Sequence, residues 1–216
     1  MKYGIILPLH ESGPDELLGA ARLAEVSGLD SLWMSDHLWG HPGGPERPTL
    51  EAWTSLAAVA EATERVKIGT LVTRVSIRIP RVLQAMAETL ERIAPGRMRI
   101  ALGIGDATNR DEQIAYGIHF GRRTERLKLL HETFEMLREG VPGVPLWIGG
   151  TSDELLRLAA RADGWNFWGP HEEFAAHLGR LRDFAGDSLP ETSWAGSYPG
   201  PHGTEVLEQL KSQGAD

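Results

Sequence analysis

Four short stretches carry residue types that could bind a ligand or move a proton. Ser35-Asp36-His37-Leu38-Trp39 sets an imidazole between a carboxylate and an indole. Histidine exchanges a proton near neutral pH, and an indole offers a flat apolar surface to a planar ligand. The competing reading is a histidine tied to the backbone. A metal site on Asp36, His37 and His41 lacks a further ligand at a recognisable spacing, so no metal is expected. Gly69-Thr70-Leu71-Val72-Thr73 closes a second apolar run. Gly103-Ile104-Gly105-Asp106 is too short for a dinucleotide fingerprint, but its glycines would let a ligand approach the backbone closely. Asp106 could act as acid or base if burial raised its pKa, or could cap the helix that follows. Gly149-Gly150-Thr151-Ser152 precedes a helical pattern, where backbone N–H groups can hold a phosphate; an ordinary tight turn with Ser152 as cap is the alternative.

These stretches share one position. Each follows a short apolar run rich in Ile, Val, Leu or Trp, and longer helical patterns separate the runs, which predicts βαβ units and a mostly parallel sheet. Strands are expected at Tyr3 to Leu7, Ser31 to Ser35, Val66 to Val72, Met98 to Ile104, Pro145 to Ile148 and Gly164 to Trp168. A short one is expected at Ser193 to Gly196. Their near-continuous hydrophobicity suits strands buried on both faces. In a parallel barrel the functional groups gather at the C-terminal strand ends, where all four stretches lie.

Helix signals fall between the strands. Ser12 and Asp15 are spaced as a capping box, Gly28 stands where a left-handed residue would end the first helix, and Pro80 opens the third. Leu83, Met86, Leu90 and Ile93 form the apolar face of the third helix. Leu127, Leu130, Phe134 and Leu137 form that of the fourth and read as core. A final helix is expected from Thr204 to Gln213, with no strand pattern after it.

A chain of 216 residues can form one domain with a substantial core, and no linker-like segment divides it, so a single domain over residues 1–216 is expected. No stretch approaches the roughly 18 uninterrupted apolar residues of a membrane span. The N-terminal apolar run is too short for a secretory signal and cysteine is absent, so the expected location is cytoplasmic. A net charge of −8 argues against nucleic acid or an anionic membrane as partner, leaving small molecules.

Taken in order, these strand ends resemble the luciferase-like monooxygenase family, and within it the reductases and dehydrogenases that use the deazaflavin coenzyme F420. The resemblance runs from Met1 to roughly Phe184 through Gly28-Leu29-Asp30-Ser31, Ser35-Asp36-His37, Gly69-Thr70, Ala94-Pro95-Gly96-Arg97, Gly103 to Asn109, Arg122 to Leu130 and Pro145 to Asn166. It implies a TIM (β/α)8-type barrel, shortened here, with the final strand or strands missing. It also implies an oxidoreductase that passes hydride between F420, or alternatively FMN, and a small organic substrate. His37, Trp39 and Asp106 become the implied catalytic residues. Asp106 lies in Gly105-Asp106-Ala107-Thr108-Asn109, where the sugar-phosphate dehydrogenase branch has Gly-Glu-Ala-Leu-Asn, so its acid is one methylene shorter. Implied cofactor contacts are Asp36, Thr70, Leu71, Thr73, Ile104, Gly105, Asn109, Gly149, Gly150 and Thr151. A non-proline cis peptide is implied at Thr70–Leu71 or Leu71–Val72. The long insertion that family members carry before strand five is reduced to Leu137 to Val144. An FMN-dependent monooxygenase, a flavin-binding barrel without activity and a metal-dependent barrel hydrolase are the other readings. A barrel lacking its closing strand exposes an edge, which predicts a homodimer.

Overall fold

The computed structural model describes all residues except 41, 42, 198, 199, 201 and 202. The chain forms two compact units, residues 2–144 and residues 145–216 together with Met1.

In residues 2–144, strands β1 (Gly4–Ile6), β2 (Ser31–Met34), β3 (Lys67–Arg74) and β4 (Met98–Gly103) each run parallel to the next. Helices α1 (Pro14–Val26), α2 (Ala52–Ala62) and α3 (Pro80–Ile93) connect them, and α4 (Arg110–Ala115) and α5 (Arg123–Gly140) follow β4. The register places Ile5 beside Leu32, Leu32 beside Ile68 and Ile68 beside Met98. Leu32, Ile68 and Met98 are buried, as continuous apolar strands in a covered parallel sheet should be. Helices α1, α3 and α5 each bury one apolar stripe: Leu17, Ala21 and Ala24 from α1, Leu83, Ala87 and Leu90 from α3, and Leu130, Phe134 and Leu137 from α5.

Three local expectations need correction. Helix α1 begins at Pro14 with Gly13 as N-cap, so Ser12 and Asp15 form no capping box; the Ser12 hydroxyl donates instead to His10 O at 3.4 Å. On α3, Ala87 takes a buried place and Ile93 is exposed, because the stripe follows the helical period more closely than residue size suggested. Helix α4 was not foreseen, so the helix carrying Leu130 is the fifth. Gly28 does end the α1 segment at φ +83°.

The end of β3 is irregular. Pairing runs to Thr70 beside Ile100 and resumes at Thr73 beside Leu102, so β3 has one residue more than β4 across the gap. The Leu71–Val72 peptide within it is cis, at one of the two bonds the resemblance implied. Opposite lies Gly103, where a Cβ would stand 2.5 Å from Val72 Cγ2, so any larger residue would have to displace the Val72 side chain.

In residues 145–216, β5 (Leu146–Gly149), β6 (Gly164–Trp168) and β7 (Glu191–Ala195) are again parallel to their neighbours, with helices α6 (Asp153–Ala159), α7 (Phe174–Ala185) and α8 (Gly203–Gln213). Trp165 stacks on Phe174 with centroids 5.8 Å apart and on Phe167 at 6.1 Å. Asp216 turns back on β7: its N–H donates to Thr192 O at 2.9 Å and its carboxylate accepts from Thr192 N at 2.8 Å. Seven strands stand among the described residues where a complete barrel has eight, in keeping with a shortened α/β barrel.

Candidate functional site

The C-terminal ends of β2 and β3 meet a carboxylate from outside the sheet. Glu112, on α4, is fully buried and acts as the hub. One of its oxygens, Oε1, accepts from Arg74 Nη2 at 2.9 Å, from Trp39 N at 3.3 Å and from Leu38 N. The other lies 3.3 Å from His37 Nδ1. Burial opposes ionisation of Glu112, but the bonds from His37 and Leu38 and the Arg74 guanidinium outweigh it and hold the carboxyl down at about 2. An ionised carboxylate can only accept, so Nδ1 must carry the proton it shares. In the neutral imidazole this makes Nε2 the basic nitrogen.

Asp36 anchors the same strand end differently. Its carboxylate receives Arg78 as a two-pronged pair, Nη1 to Oδ2 at 2.6 Å and Nη2 to Oδ1 at 2.9 Å, and also accepts Arg74 N at 3.0 Å. Arg74 Nε donates to Asp36 O at 2.7 Å. Arg78 continues to Glu51, which caps α2 through Trp53 N and Thr54 N. Burial works against the Arg78 charge, yet Asp36 and Glu51 raise its pKa above the ordinary value.

His10, after β1, completes the surroundings of His37. Its ring lies edge-on to the His37 ring, centroids 5.9 Å apart, and its Nδ1 is 2.9 Å from Thr49 Oγ1. At the end of β3, the Thr70 and Thr73 hydroxyls bond each other at 2.5 Å and Trp53 Nε1 donates to Thr73 at 3.2 Å, all out of solvent contact.

After β4, Asp106 is exposed and caps a 3-10 turn over Ala107–Asn109, its Oδ1 accepting Thr108 N at 2.8 Å. Asn109 reaches back to accept Asp106 N at 3.0 Å. Ile104 O accepts Arg126 Nε at 3.0 Å. Gly105 sits at φ +68°, and a Cβ there would lie 3.1 Å from Asn109 Oδ1 and 3.4 Å from Arg74 Cδ. Nearby, Ser76, His119, Gly121, Glu125, Arg126 and Leu129 line a cavity of about 260 Å³. Ordinary ligand pockets occupy roughly 300–1,000 Å³, so this one alone would not enclose a ring cofactor.

The structure therefore gathers His37, Trp39 and Asp36 around Glu112 and Arg74, with Arg74 also packed against Gly105. Gly149, Gly150 and Thr151 belong to residues 145–216. There Gly150, at φ +114°, donates its N–H to Asn166 O at 3.3 Å and accepts Trp165 Nε1 at 2.9 Å. Ser152 makes no side-chain cap, and Asp153 and Glu154 occupy the first turn of α6, where their charge opposes that of a phosphate. His41 of the metal reading lies outside the described residues.

Arg74, Arg78, Glu112 and His10 were not foreseen. The two arginines did leave a signal, since a charge at or just beyond the C-terminal end of an apolar strand is out of pattern for core and in place for a site. Glu112 left none, because a six-residue polar helix shows no periodicity.

Comparison with known proteins shows the family and the fold. Residues 1–188 match the family model described as luciferase-like monooxygenase. An F420-dependent glucose-6-phosphate dehydrogenase of Microbacterium testaceum is 32% identical over 193 residues, covering 76% of this chain and 56% of the relative. Another, of Rhodococcus erythropolis, is 37% identical over 158 residues, covering 71% and 43%. The chain thus spans about half the length of the curated relatives it matches. Among solved structures, an F420-dependent secondary alcohol dehydrogenase with an F420-acetone adduct superposes with a TM-score of 0.75 at 22% identity, covering 89% of this chain and 68% of that one. An FMN-containing type II Baeyer-Villiger monooxygenase of Pseudomonas putida does so with a TM-score of 0.71 at 17% identity, covering 90% and 66%. These two likenesses speak to fold.

Proposed function

The chain belongs to the luciferase-like monooxygenase family, and from that premise we propose that it is an oxidoreductase moving hydride between coenzyme F420 and a small organic substrate. The observation that carries this reading is His37, held through Nδ1 by the buried Glu112 so that Nε2 is its basic nitrogen. The names of curated relatives at 32% and 37% identity supply the preference for F420.

The residues suit a ring cofactor. Arg74 Nη1 is buried with no hydrogen-bond partner among the described residues, a donor that a ligand rich in acceptor oxygens would satisfy. In this reading Leu71, Ile104 and Gly105 offer backbone to the ring. Asp36, Thr70, Thr73 and Asn109 act by fixing that backbone through the bonds described above. Bound F420 would supply hydride acceptance and donation. His37 would hold or release the proton at Nε2 as a substrate hydroxyl is oxidised or a carbonyl reduced, Trp39 would wall the substrate from water, and Asp106 would pass the proton to solvent.

Fluorescence titration with F420 and, separately, FMN tests the reading. Tighter binding of F420, with hydride transfer that His37→Ala abolishes, is the expected result. Preference for FMN would favour the monooxygenase variant, binding without turnover would favour a flavin-binding barrel, and binding of neither would sink all three. No helix among the described residues is long and apolar enough to cross a membrane. We keep the homodimer as a proposal, supported by the exposed Tyr3 and Ile5 beside and on β1. Light scattering that found only monomer at micromolar concentration would remove it.

A further inference from the structure

We propose that Arg74 is a ligand-binding residue whose Nη1 donates to an uncharged carbonyl oxygen of the bound ring, which deepens the reading above and rests on it. Arginine stays protonated in proteins, so every buried guanidinium N–H needs an acceptor. Two of the three nitrogens have theirs: Nε donates to Asp36 O at 2.7 Å and Nη2 to Glu112 at 2.9 Å. Nη1 has none among the described residues, although the side chain is only 4% exposed. The large majority of buried side-chain polar atoms are paired, so an orphan beside a candidate site points to a ligand. The two bonds already made fix the plane of the guanidinium. Its third nitrogen is therefore aimed before any ligand arrives, and little side-chain freedom remains to be lost on binding.

Charge decides between a carbonyl and a phosphate. The cluster contains two guanidinium groups, Arg74 and Arg78, against three carboxylates, Asp36, Glu51 and Glu112, and the histidines His37 and His10 face it. With both rings neutral the cluster carries an excess negative charge, which would repel a phosphate dianion but accept a neutral oxygen. The pyrimidinedione edge shared by flavins and deazaflavins presents such oxygens.

The probe is lumiflavin, which has the ring and no phosphate. Arg74→Met is expected to weaken lumiflavin and FMN alike, by about tenfold to a hundredfold, the usual loss for a bond from a charged donor. It should also raise the ring carbonyl stretch of the bound flavin in difference infrared spectra, a change that a merely loosened site would not produce. Loss for FMN with lumiflavin unaffected would make the contact a phosphate one and overturn the proposal. Unchanged affinity for both would overturn it as well, and so would weakened binding with an unmoved carbonyl stretch. If Arg74→Met does not fold, 15N-arginine labelling of the wild-type protein replaces it: a buried guanidinium resonance must move on adding lumiflavin, and a static one rejects the contact. Wild-type protein that binds no flavin and no F420 defeats the functional reading, and this contact with it.

Discussion

Residues 2–144 and 145–216 both build parallel strands covered by helices, but they bury different things. The first unit encloses Asp36, Arg74, Glu112 and Arg126, all under 9% exposed; among the described residues of the second, the buried polar side chains are Asn166 and Thr192. In place of charges the second unit packs Trp165, Phe167 and Phe174. Stacked aromatic rings stabilise through area removed from water and impose little direction. Buried ions do the reverse: desolvation costs several kcal/mol each, and what returns is a fixed geometry. The unit that holds His37 has accepted that cost.

Three measurements can break or sharpen the contrast. Trp165→Ala should have the largest effect, about 3–5 kcal/mol in urea unfolding, because it empties a fully buried aromatic site. That loss should be the same at pH 7 and pH 4, since it comes from packing. A pH-dependent loss would mean that the two units are less different than their contents suggest.

Glu112→Gln comes next and should behave in the opposite way. The Glu112 carboxyl lies at about 2 in the folded protein against an ordinary 4.5. Its contribution is therefore fully present above about pH 4.5 and is lost as pH falls through 2. That difference corresponds to about 3 kcal/mol at neutral pH. Wild type and variant should differ by this order at pH 7 and converge between about pH 5 and pH 2. A gap that stays constant with pH would show that Glu112 is not the ionised partner of Arg74 and His37.

The smallest change in stability is expected for Asp106→Asn, below about 0.5 kcal/mol, because asparagine caps a helical turn about as well as aspartate. Turnover should fall nonetheless, by about a hundredfold, if Asp106 carries the proton. Unchanged turnover would reduce Asp106 to the cap that its bond to Thr108 describes.

Legibility in the sequence followed the same divide. Strands β2 to β6 were readable to within about two residues, because a strand covered on both faces must be apolar along its length. The glycines after β4 and β5 were readable too, since Gly105 and Gly150 hold backbone conformations that other residues avoid. His37 and Asp36 stood out as polar groups ending an apolar run. Their partners did not, because a hydrogen bond between Glu112 and His37 joins positions 75 residues apart and leaves no periodic trace. Asp106 was readable only as a choice between cap and acid, and the fold has it capping.

By itself, then, the sequence determined the alternation of strand and helix, the parallel sheet and the places where chemistry could gather, because burial and backbone conformation act on neighbouring residues. The tertiary structure alone decided that Arg74 would have two nitrogens occupied and one without an acceptor among the described residues. It also decided that Glu112 would set the proton of His37 on Nδ1. Electrostatics and hydrogen bonding depend on distance in space, and folding is what brings α4 against the ends of β2 and β3.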